Sequence, residues 1–100
     1  MNHVLVSENG AAVLCVRGEL DALSCPELRA VLDTVAAMGK CTVTVDLSEL
    51  RLIDSSGVGV MVALYKRVRA NGGEVKFIGV TAQPLVIFKL LRLDRAFELS

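Results

Sequence analysis

The stretch TVTVDLSELRLIDSSGVGVMVALYKRVRANGG, residues 42–73, decides the fold. Its first six residues, four of them β-branched, alternate between polar and apolar side chains, which is typical of a strand. Apolar residues then recur at helical spacing from Val58 to Val68 and stop at a Gly-Gly pair, which predicts a helix that begins at about Asp54. A strand that leads into a helix is the repeating unit of a parallel α/β sheet.

The residues before this stretch predict a β-hairpin and a first helix. Asn9-Gly10 separates two β-type runs, which is a strong hairpin signal. Ser24 and Glu27 have the spacing of a capping box at a helix start, and Gly39 would end that helix. We therefore expect two paired strands followed by one amphipathic helix.

The residues after this stretch predict one more strand and an apolar helix. Residues 74–79 alternate as a strand does, Thr81 fits a helix cap, and Pro84 to Leu91 forms a third helix that packs mainly into the core. Residues 96–99 fit a short last strand. Right-handed crossovers then give an α/β fold: a mixed, mostly parallel four- to five-stranded sheet with an N-terminal β-hairpin and helices packed on one face.

Length and charge narrow the possible functions. One hundred residues suit a single domain spanning 1–100. Eleven acidic and eleven basic side chains cancel, so we expect no nucleic-acid partner and no membrane partner. The basic residues at 66–69 are interpreted as a solvated helix end, although they could bind phosphates. Because the sequence has no signal peptide and no long apolar run, we expect a cytoplasmic protein.

The reactive side chains do not form the pattern of an enzyme. Cys15, Cys25 and Cys41 lack C-x-x-C spacing and are interpreted as small buried hydrophobic residues with reduced thiols. His3 is the only histidine, which argues against a Ser-His-Asp triad and against a metal site. No Gly-x-Ser-x-Gly elbow is present, and a dinucleotide fingerprint fails at Val62. We expect no catalytic residues, no metal and no cofactor.

The turn Asp54-Ser55-Ser56-Gly57 is the candidate functional site. Asp54 is expected to cap the helix, which puts both serine hydroxyls in the first turn, with Gly57 and Gly59 leaving their surroundings open. A phosphate there would meet free N–H groups and the positive end of the helix dipole. By itself, the pattern also fits an ordinary capped helix start.

Four motifs in order along the chain resemble a known family. They are GELD at 18–21, VDLS at 45–48, IDSSGVGV at 53–60 and GG at 72–73. Over nearly its whole length, the chain resembles a single-domain STAS protein of the anti-sigma-factor antagonist type.

The resemblance implies a partner-switching cycle. The unmodified antagonist would bind an anti-sigma factor that is also a serine kinase of the GHKL type, and so free the sigma factor. Phosphorylation would fall on Ser56 and end the binding, and a serine phosphatase of the PP2C type would reset it. The implied partner-binding residues are Asp21, Asp54, Ser55, Ser56 and Gly57. Asp21 would help to dock the kinase, although it could also simply cap its own loop.

A second function remains open within the same fold. The chain could be a STAS subunit that docks on a larger assembly, such as a lipid-transport ATPase complex or a stress-signalling scaffold. The turn at Asp54 would then serve only for contact, without a phosphoswitch.

Overall fold

The computed structural model describes residues 2–99, which contain five strands and four helices. In chain order they are β1 (Asn2–Glu8), β2 (Ala11–Leu20), α1 (Cys25–Ala37), β3 (Thr42–Asp46), β4 (Leu50–Ile53), α2 (Ser55–Ala70), β5 (Glu74–Ile78), α3 (Ala82–Leu90) and α4 (Leu93–Ala96).

The five strands form one mostly parallel sheet. Its main path runs β1-β2-β3-β5, and β4 pairs with the last residues of β2, beyond the part of β2 that pairs with β3. Only the β1–β2 hairpin is antiparallel. The predicted α/β fold, with its N-terminal hairpin and its mostly parallel sheet, is confirmed.

Two irregularities shape β2, the longest strand. The hairpin turn before it has positive φ at Asn9 (50°) and Gly10 (79°), as the predicted Asn-Gly turn requires. Near its end, Gly18 has a φ of 82°, and the register with β4 shifts between Gly18 and Glu19. Such a bulge increases the local twist, so the end of β2 changes from pairing with β3 to pairing with β4.

The helices cover one face of the sheet, and the hydrophobic core lies between them. Along β2, Leu14 and Val16 are buried, whereas Val13 on the other face is 43% exposed. The apolar stripes of the two longest helices face the core with these buried side chains: Leu28, Leu32 and Val35 of α1, and Val58, Met61, Leu64 and Val68 of α2. Packing of the helices on one face is confirmed.

The end of the chain departs from the prediction. Residues 96–99 do not form a strand, because Phe97 instead follows the short helix α4 and turns into the core. Its ring stacks on Phe77 at 4.2 Å between centroids and meets the edge of Phe88 at 5.8 Å. These aromatic contacts hold the segment against the core, and it does not pair as a strand.

Two further differences concern the segments around the candidate turn. Residues 50–53, interpreted as a connection, form the strand β4 and pair with β2. Helix α3 begins at Ala82, two residues before the predicted Pro84, and the side chain of Thr81 makes no capping hydrogen bond. The first difference arises from a contact between segments distant in sequence, since β4 forms by pairing with residues 18–20 of β2.

The cysteine thiols are free and mostly enclosed. Cys25 and Cys41 are buried as predicted, whereas Cys15 is partly exposed on the open face of the sheet. Burial raises the pKa of the Cys25 thiol, and the nearby Asp54 carboxylate raises it further. Among residues 2–99, we find no helix with both the length and the apolar character needed to cross a bilayer.

Candidate functional site

The start of α2 has the predicted cap. Asp54 has an extended backbone (φ −110°, ψ −175°), and its Oδ1 accepts a hydrogen bond from the Gly57 N–H at 3.0 Å. The Asp54 N–H donates to the carbonyl of Leu20 at 3.1 Å, which ties the turn to the end of β2. The cap predicted from sequence is confirmed, and the sheet holds it in place.

The first turn of α2 offers hydrogen-bonding groups that the fold does not use. The Val58 N–H makes the first helical bond, to the Asp54 carbonyl at 3.0 Å. Within residues 2–99, no acceptor contacts the N–H groups of Ser55 and Ser56, and neither hydroxyl has a hydrogen-bond partner. Ser55 is exposed and Ser56 is partly exposed. This positive end of the helix therefore has unused donors beside two accessible hydroxyls.

The two glycines of the motif have different environments. Gly59 is exposed, and a Cβ added there would meet no atom within 4 Å. Gly57 is buried, and its Cβ would lie 2.8 Å from the carbonyl oxygen of Leu20 and 2.7 Å from Cγ1 of Ile53. The absence of a side chain at Gly57 therefore lets α2 start directly against β2 and β4.

The loop after β2 contains the predicted residue Asp21, and here the predicted capping box does not form. The Asp21 carboxylate accepts from the N–H groups of Leu23 (3.0 Å) and Ser24 (3.1 Å). The Ser24 hydroxyl accepts from the Asp21 N–H at 3.0 Å instead of capping α1. These bonds, first that from the Ser24 N–H, lower the pKa of the Asp21 carboxyl. Asp21 thus caps its own loop, the second of the two roles considered above.

Asp21 and Asp54 line the same cleft. Its volume is about 250 Å³, and it lies where β2 and β4 end beside the start of α3. The lining residues are Glu19, Leu20, Asp21, Leu52, Ile53, Asp54 and Gln83. Three of these residues have carboxylate side chains, and the rest of the lining surface is mainly apolar; we call it the acidic cleft.

An apolar groove lies on the other side of the same turn. Its volume is about 210 Å³, and its lining is almost entirely hydrophobic. We define this α2–α3 groove by its lining residues: Ile53, Asp54, Ser55, Val58, Ile87, Leu90 and Leu91. Leu90 and Leu91 are 73% and 55% exposed, so part of the third helix faces solvent next to Ser55. The apolar composition of this helix was the only sequence signal for the groove.

Gln83, which no sequence pattern indicated, connects α3 to the end of β4. Gln83 of α3 accepts from the Ile53 N–H and donates to the Ile53 carbonyl, both at 2.9 Å. Ile53 is the last residue of β4 and directly precedes the cap. Because the two residues are 30 positions apart, no local pattern could have predicted this contact.

The site has the features of a binding surface. No imidazole lines either cavity, because His3 lies on β1 with its Nδ1 3.5 Å from Glu27 of α1. A serine hydroxyl needs such a neighbouring base to act as a nucleophile. Within residues 2–99, no three His, Cys, Asp or Glu side chains lie close enough to hold a metal ion. What remains is an acidic cleft, an apolar groove and accessible hydroxyls between them.

Comparison with known proteins identifies the family. The model of the family described as "Mlab, STAS domain" matches residues 4–99. The chain belongs to the STAS domain family. The resemblance seen in the four sequence motifs is thereby confirmed. This STAS domain is also 31% identical over 98 residues to the anti-sigma-F factor antagonist RsfB of Mycobacterium tuberculosis. The aligned region covers 95% of this chain and 77% of RsfB.

Solved structures share the fold of this STAS domain. The anti-sigma factor antagonist SpoIIAA in its unphosphorylated form superposes with a TM-score of 0.73 and 21% identity, over 95% of this chain and 97% of SpoIIAA. The Bacillus cell fate determinant SpoIIAA in the phosphorylated form superposes with a TM-score of 0.77 and 23% identity, over 94% of this chain and 86% of that chain. At these identities, the likeness establishes the fold alone.

Proposed function

We propose that this STAS domain is an anti-sigma-factor antagonist controlled by phosphorylation of Ser56. The unmodified protein binds an anti-sigma factor that is also a serine kinase of the GHKL type, and the sigma factor is released for transcription in the cytoplasm. The kinase phosphorylates Ser56 and the complex separates. A serine phosphatase of the PP2C type restores the binding form. The domain is a substrate and a binding partner in this cycle, not an enzyme.

The open start of α2 is the observation that carries this proposal. Its two hydroxyls are unbonded, and the N–H groups of Ser55 and Ser56 have no acceptor among residues 2–99. A phosphoryl group on Ser56 would sit near these donors and near the positive end of the helix. The folded domain can therefore hold the modification without rearranging.

The surroundings of the turn support a protein partner. The α2–α3 groove offers exposed leucines, and Ser55 lies on its rim as a contact residue. The acidic cleft adds Asp21 and Asp54 on the other side. One oxygen of Asp21 is occupied by the loop, and we propose that its carboxylate also faces the kinase. Gly57 contributes by holding these surfaces close together.

The switch follows from where the new charge would lie. Phosphorylation adds about 1.5 to 2 negative charges at neutral pH. In the free domain, water and the helix start solvate them. In the complex, a partner that covers the groove would exclude the water that solvates the phosphoryl group. The carboxylate of Asp54, which lies in the same turn, would also repel the new negative charge. The phosphorylated state is therefore compatible with folding but not with binding.

Two similar proteins support the proposed antagonist function. RsfB carries the name of an anti-sigma factor antagonist, and SpoIIAA has been solved in both unphosphorylated and phosphorylated forms. The assignment to Ser56 instead of Ser55 comes from the motif resemblance, since Ser55 is the more exposed of the two.

The test is phosphorylation by the GHKL-type serine kinases of the source organism. Each purified kinase is incubated with the domain, ATP and Mg²⁺, and intact mass and the modified residue are determined by mass spectrometry. One kinase should add a single phosphoryl group to the wild type and to Ser55→Ala, but none to Ser56→Ala. Equal modification of Ser56→Ala, or no modification by any kinase, would contradict the proposal.

The docking-subunit function predicts a different result. The domain would then remain bound to a larger assembly, and the Ser56→Ala variant would bind as the wild type does, with no phosphoryl transfer. Co-purification from the source organism followed by a kinase assay on the isolated complex separates the two functions.

A further inference from the structure

Gln83 holds the edge of β4 in the way that a neighbouring strand would. An edge strand leaves N–H and C=O groups unpaired on its outer side, and these groups need partners when they are shielded from water. At Ile53, the carboxamide of Gln83 supplies both partners, with Oε1 accepting and Nε2 donating at 2.9 Å. At neutral pH, where a carboxyl is ordinarily ionised and can only accept, the amides of Gln and Asn are the side chains that provide a donor and an acceptor side by side.

The backbone directly before Gln83 is strained. Ala82 has a φ of 54°, in the left-handed region that is uncommon for a non-glycine residue. The Thr81 side chain makes no capping bond that would hold the helix start. The two bonds from Gln83 are therefore the polar contacts that attach the start of α3 to the functional turn.

Ile53, the residue that Gln83 contacts, also lines the α2–α3 groove. Ile53 and Ser55 belong to one wall, and Ile87, Leu90 and Leu91 of α3 and its end belong to the other. A helix fixed at its first turn keeps its later turns at a defined distance from the strand that fixes it. We propose that Gln83 is a positioning residue: it ties α3 to Ile53, so the groove beside Ser55 and Ser56 is formed before the partner binds.

This inference rests on the proposed function only for its binding readout. Loss of the Gln83 bonds should let α3 move relative to the turn, and a partner that fills the groove would then have to order it again. The expected loss of affinity is about tenfold. The free protein gives an independent readout, because the methyl groups of Ile87, Leu90 and Leu91 report the position of α3 by NMR.

Two substitutions separate positioning from general damage. Gln83→Met keeps the length of the side chain and removes both bonds. Gln83→Glu keeps the acceptor, but at neutral pH its second oxygen faces the Ile53 carbonyl and cannot donate. When protonated, the same carboxyl accepts and donates as the amide does. Its pKa should lie above the ordinary value of about 4.3.

Other carboxylates near residue 83 need a control. Glu19, Asp21 and Asp54 line the acidic cleft with Gln83, and their charges would also raise the pKa of the introduced carboxyl. The wild type and Gln83→Met carry the same three carboxylates, so comparison at each pH isolates residue 83. Asn71→Leu is the matched distant variant, since Asn71 Nδ2 of the α2 C-cap donates to Ala36 of α1 at 3.3 Å, far from the turn in sequence.

The experiment measures affinity for the kinase that phosphorylates Ser56 at pH 7.5, and methyl shifts of the free protein from pH 7.5 to pH 4. Gln83→Met should displace the α3 methyl shifts at every pH and weaken binding about tenfold. Gln83→Glu should match Gln83→Met at pH 7.5 and recover the wild-type methyl shifts as the pH falls below the pKa of its carboxyl. Asn71→Leu should leave both readouts unchanged.

Two outcomes would overturn the inference. One is that Gln83→Met leaves the α3 methyl shifts at their wild-type values. The other is that Gln83→Glu shows no recovery relative to Gln83→Met on acidification. Neither depends on the partner: if no kinase binds or modifies the wild type, the proposed function fails, while the methyl shifts still decide whether Gln83 positions α3.

Discussion

Helices α1 and α2 begin next to each other at the ends of the paired strands β2 and β4, yet their first turns are opposite in character. At the start of α1, the Asp21 carbonyl accepts from Ser24 and Cys25, its carboxylate accepts from Leu23 and Ser24, and Pro26 has no N–H. At the start of α2, the Asp54 side chain accepts from the Gly57 N–H, and the N–H groups of the two serines have no acceptor in the part of the chain that the structure describes.

The two helix starts differ in the feature that makes a serine suitable for a phosphoswitch. Both starts have a serine and an aspartate, so residue type alone does not separate them. Ser24 is bound into its loop by its hydroxyl, whereas Ser55 and Ser56 have unbonded hydroxyls beside free donors. The available hydrogen-bonding capacity of the helix start is the distinguishing property.

The largest expected effect concerns how closely α2 approaches the sheet. Gly57→Ala should lower the free energy of unfolding by about 1–3 kcal/mol, because the new Cβ would overlap the Leu20 carbonyl. Gly59→Ala is the matched control: it meets no atom within 4 Å and should raise stability by about 0.5–1 kcal/mol through helix propensity. Urea unfolding of both variants measures the difference. Equal changes would contradict the close contact at Gly57.

The same substitution at the two helix starts should have opposite effects. Ser24→Asp should destabilise the domain by about 1–2 kcal/mol, because it removes the Ser24 bonds and puts a second carboxylate against Asp21, whose Oδ1 lies 3.2 Å from the Ser24 hydroxyl. Ser56→Asp should change stability by no more than about 1 kcal/mol, in the stabilising direction, because a negative charge suits an open helix start. Thermal and urea unfolding test this. Similar losses for both would mean that the starts do not differ.

The capping bond itself should have a moderate effect. Asp54→Ala removes the acceptor of the Gly57 N–H and should cost about 1 kcal/mol. Thr81→Ala, at the start of α3, removes a side chain without a capping bond and should cost less than about 0.5 kcal/mol. Unfolding free energies of the two variants at pH 7 compare a capped with an uncapped start. A loss at Thr81 as large as that at Asp54 would argue against the cap.

The smallest effect is a pH dependence of the α1 start. The Ser24 N–H and the other donors lower the pKa of Asp21 in the folded state, so its stabilising effect is present above the unfolded pKa of about 3.9 and is lost as pH falls through the folded pKa. Asp21→Asn keeps an acceptor but does not titrate. Its unfolding free energy should therefore decrease less than that of the wild type between pH 5 and pH 2. Parallel curves would contradict this assignment.

Local patterns predicted much of this architecture. Asn9-Gly10 predicted the hairpin turn, and Asp54 predicted the cap of α2, because each depends on residues within a few positions of each other. The periodicity of residues 42–47 and 58–68 predicted the central strand and helix. These signals come from the single buried face that the sheet and helix share.

The errors arose where distant contacts decide the structure. Strand β4 has four residues with a buried-exposed-exposed-buried pattern, so it lacks the alternation of a half-buried strand. Phe97 follows a short helix because Phe77 and Phe88 hold its ring. The contact of Gln83 with Ile53 likewise had no local signal. Ser24 is an exception: it had the spacing of a cap, but its hydroxyl bonds instead to Asp21, only three residues away.

The open start of α2 is proposed to accept a phosphoryl group that ends partner binding. Isothermal titration of the cognate GHKL-type kinase with the unmodified domain and with the domain phosphorylated on Ser56 measures this effect. The dissociation constant should be at least about tenfold larger for the phosphorylated domain, with the fold unchanged by circular dichroism. Equal affinities of the two forms would contradict it.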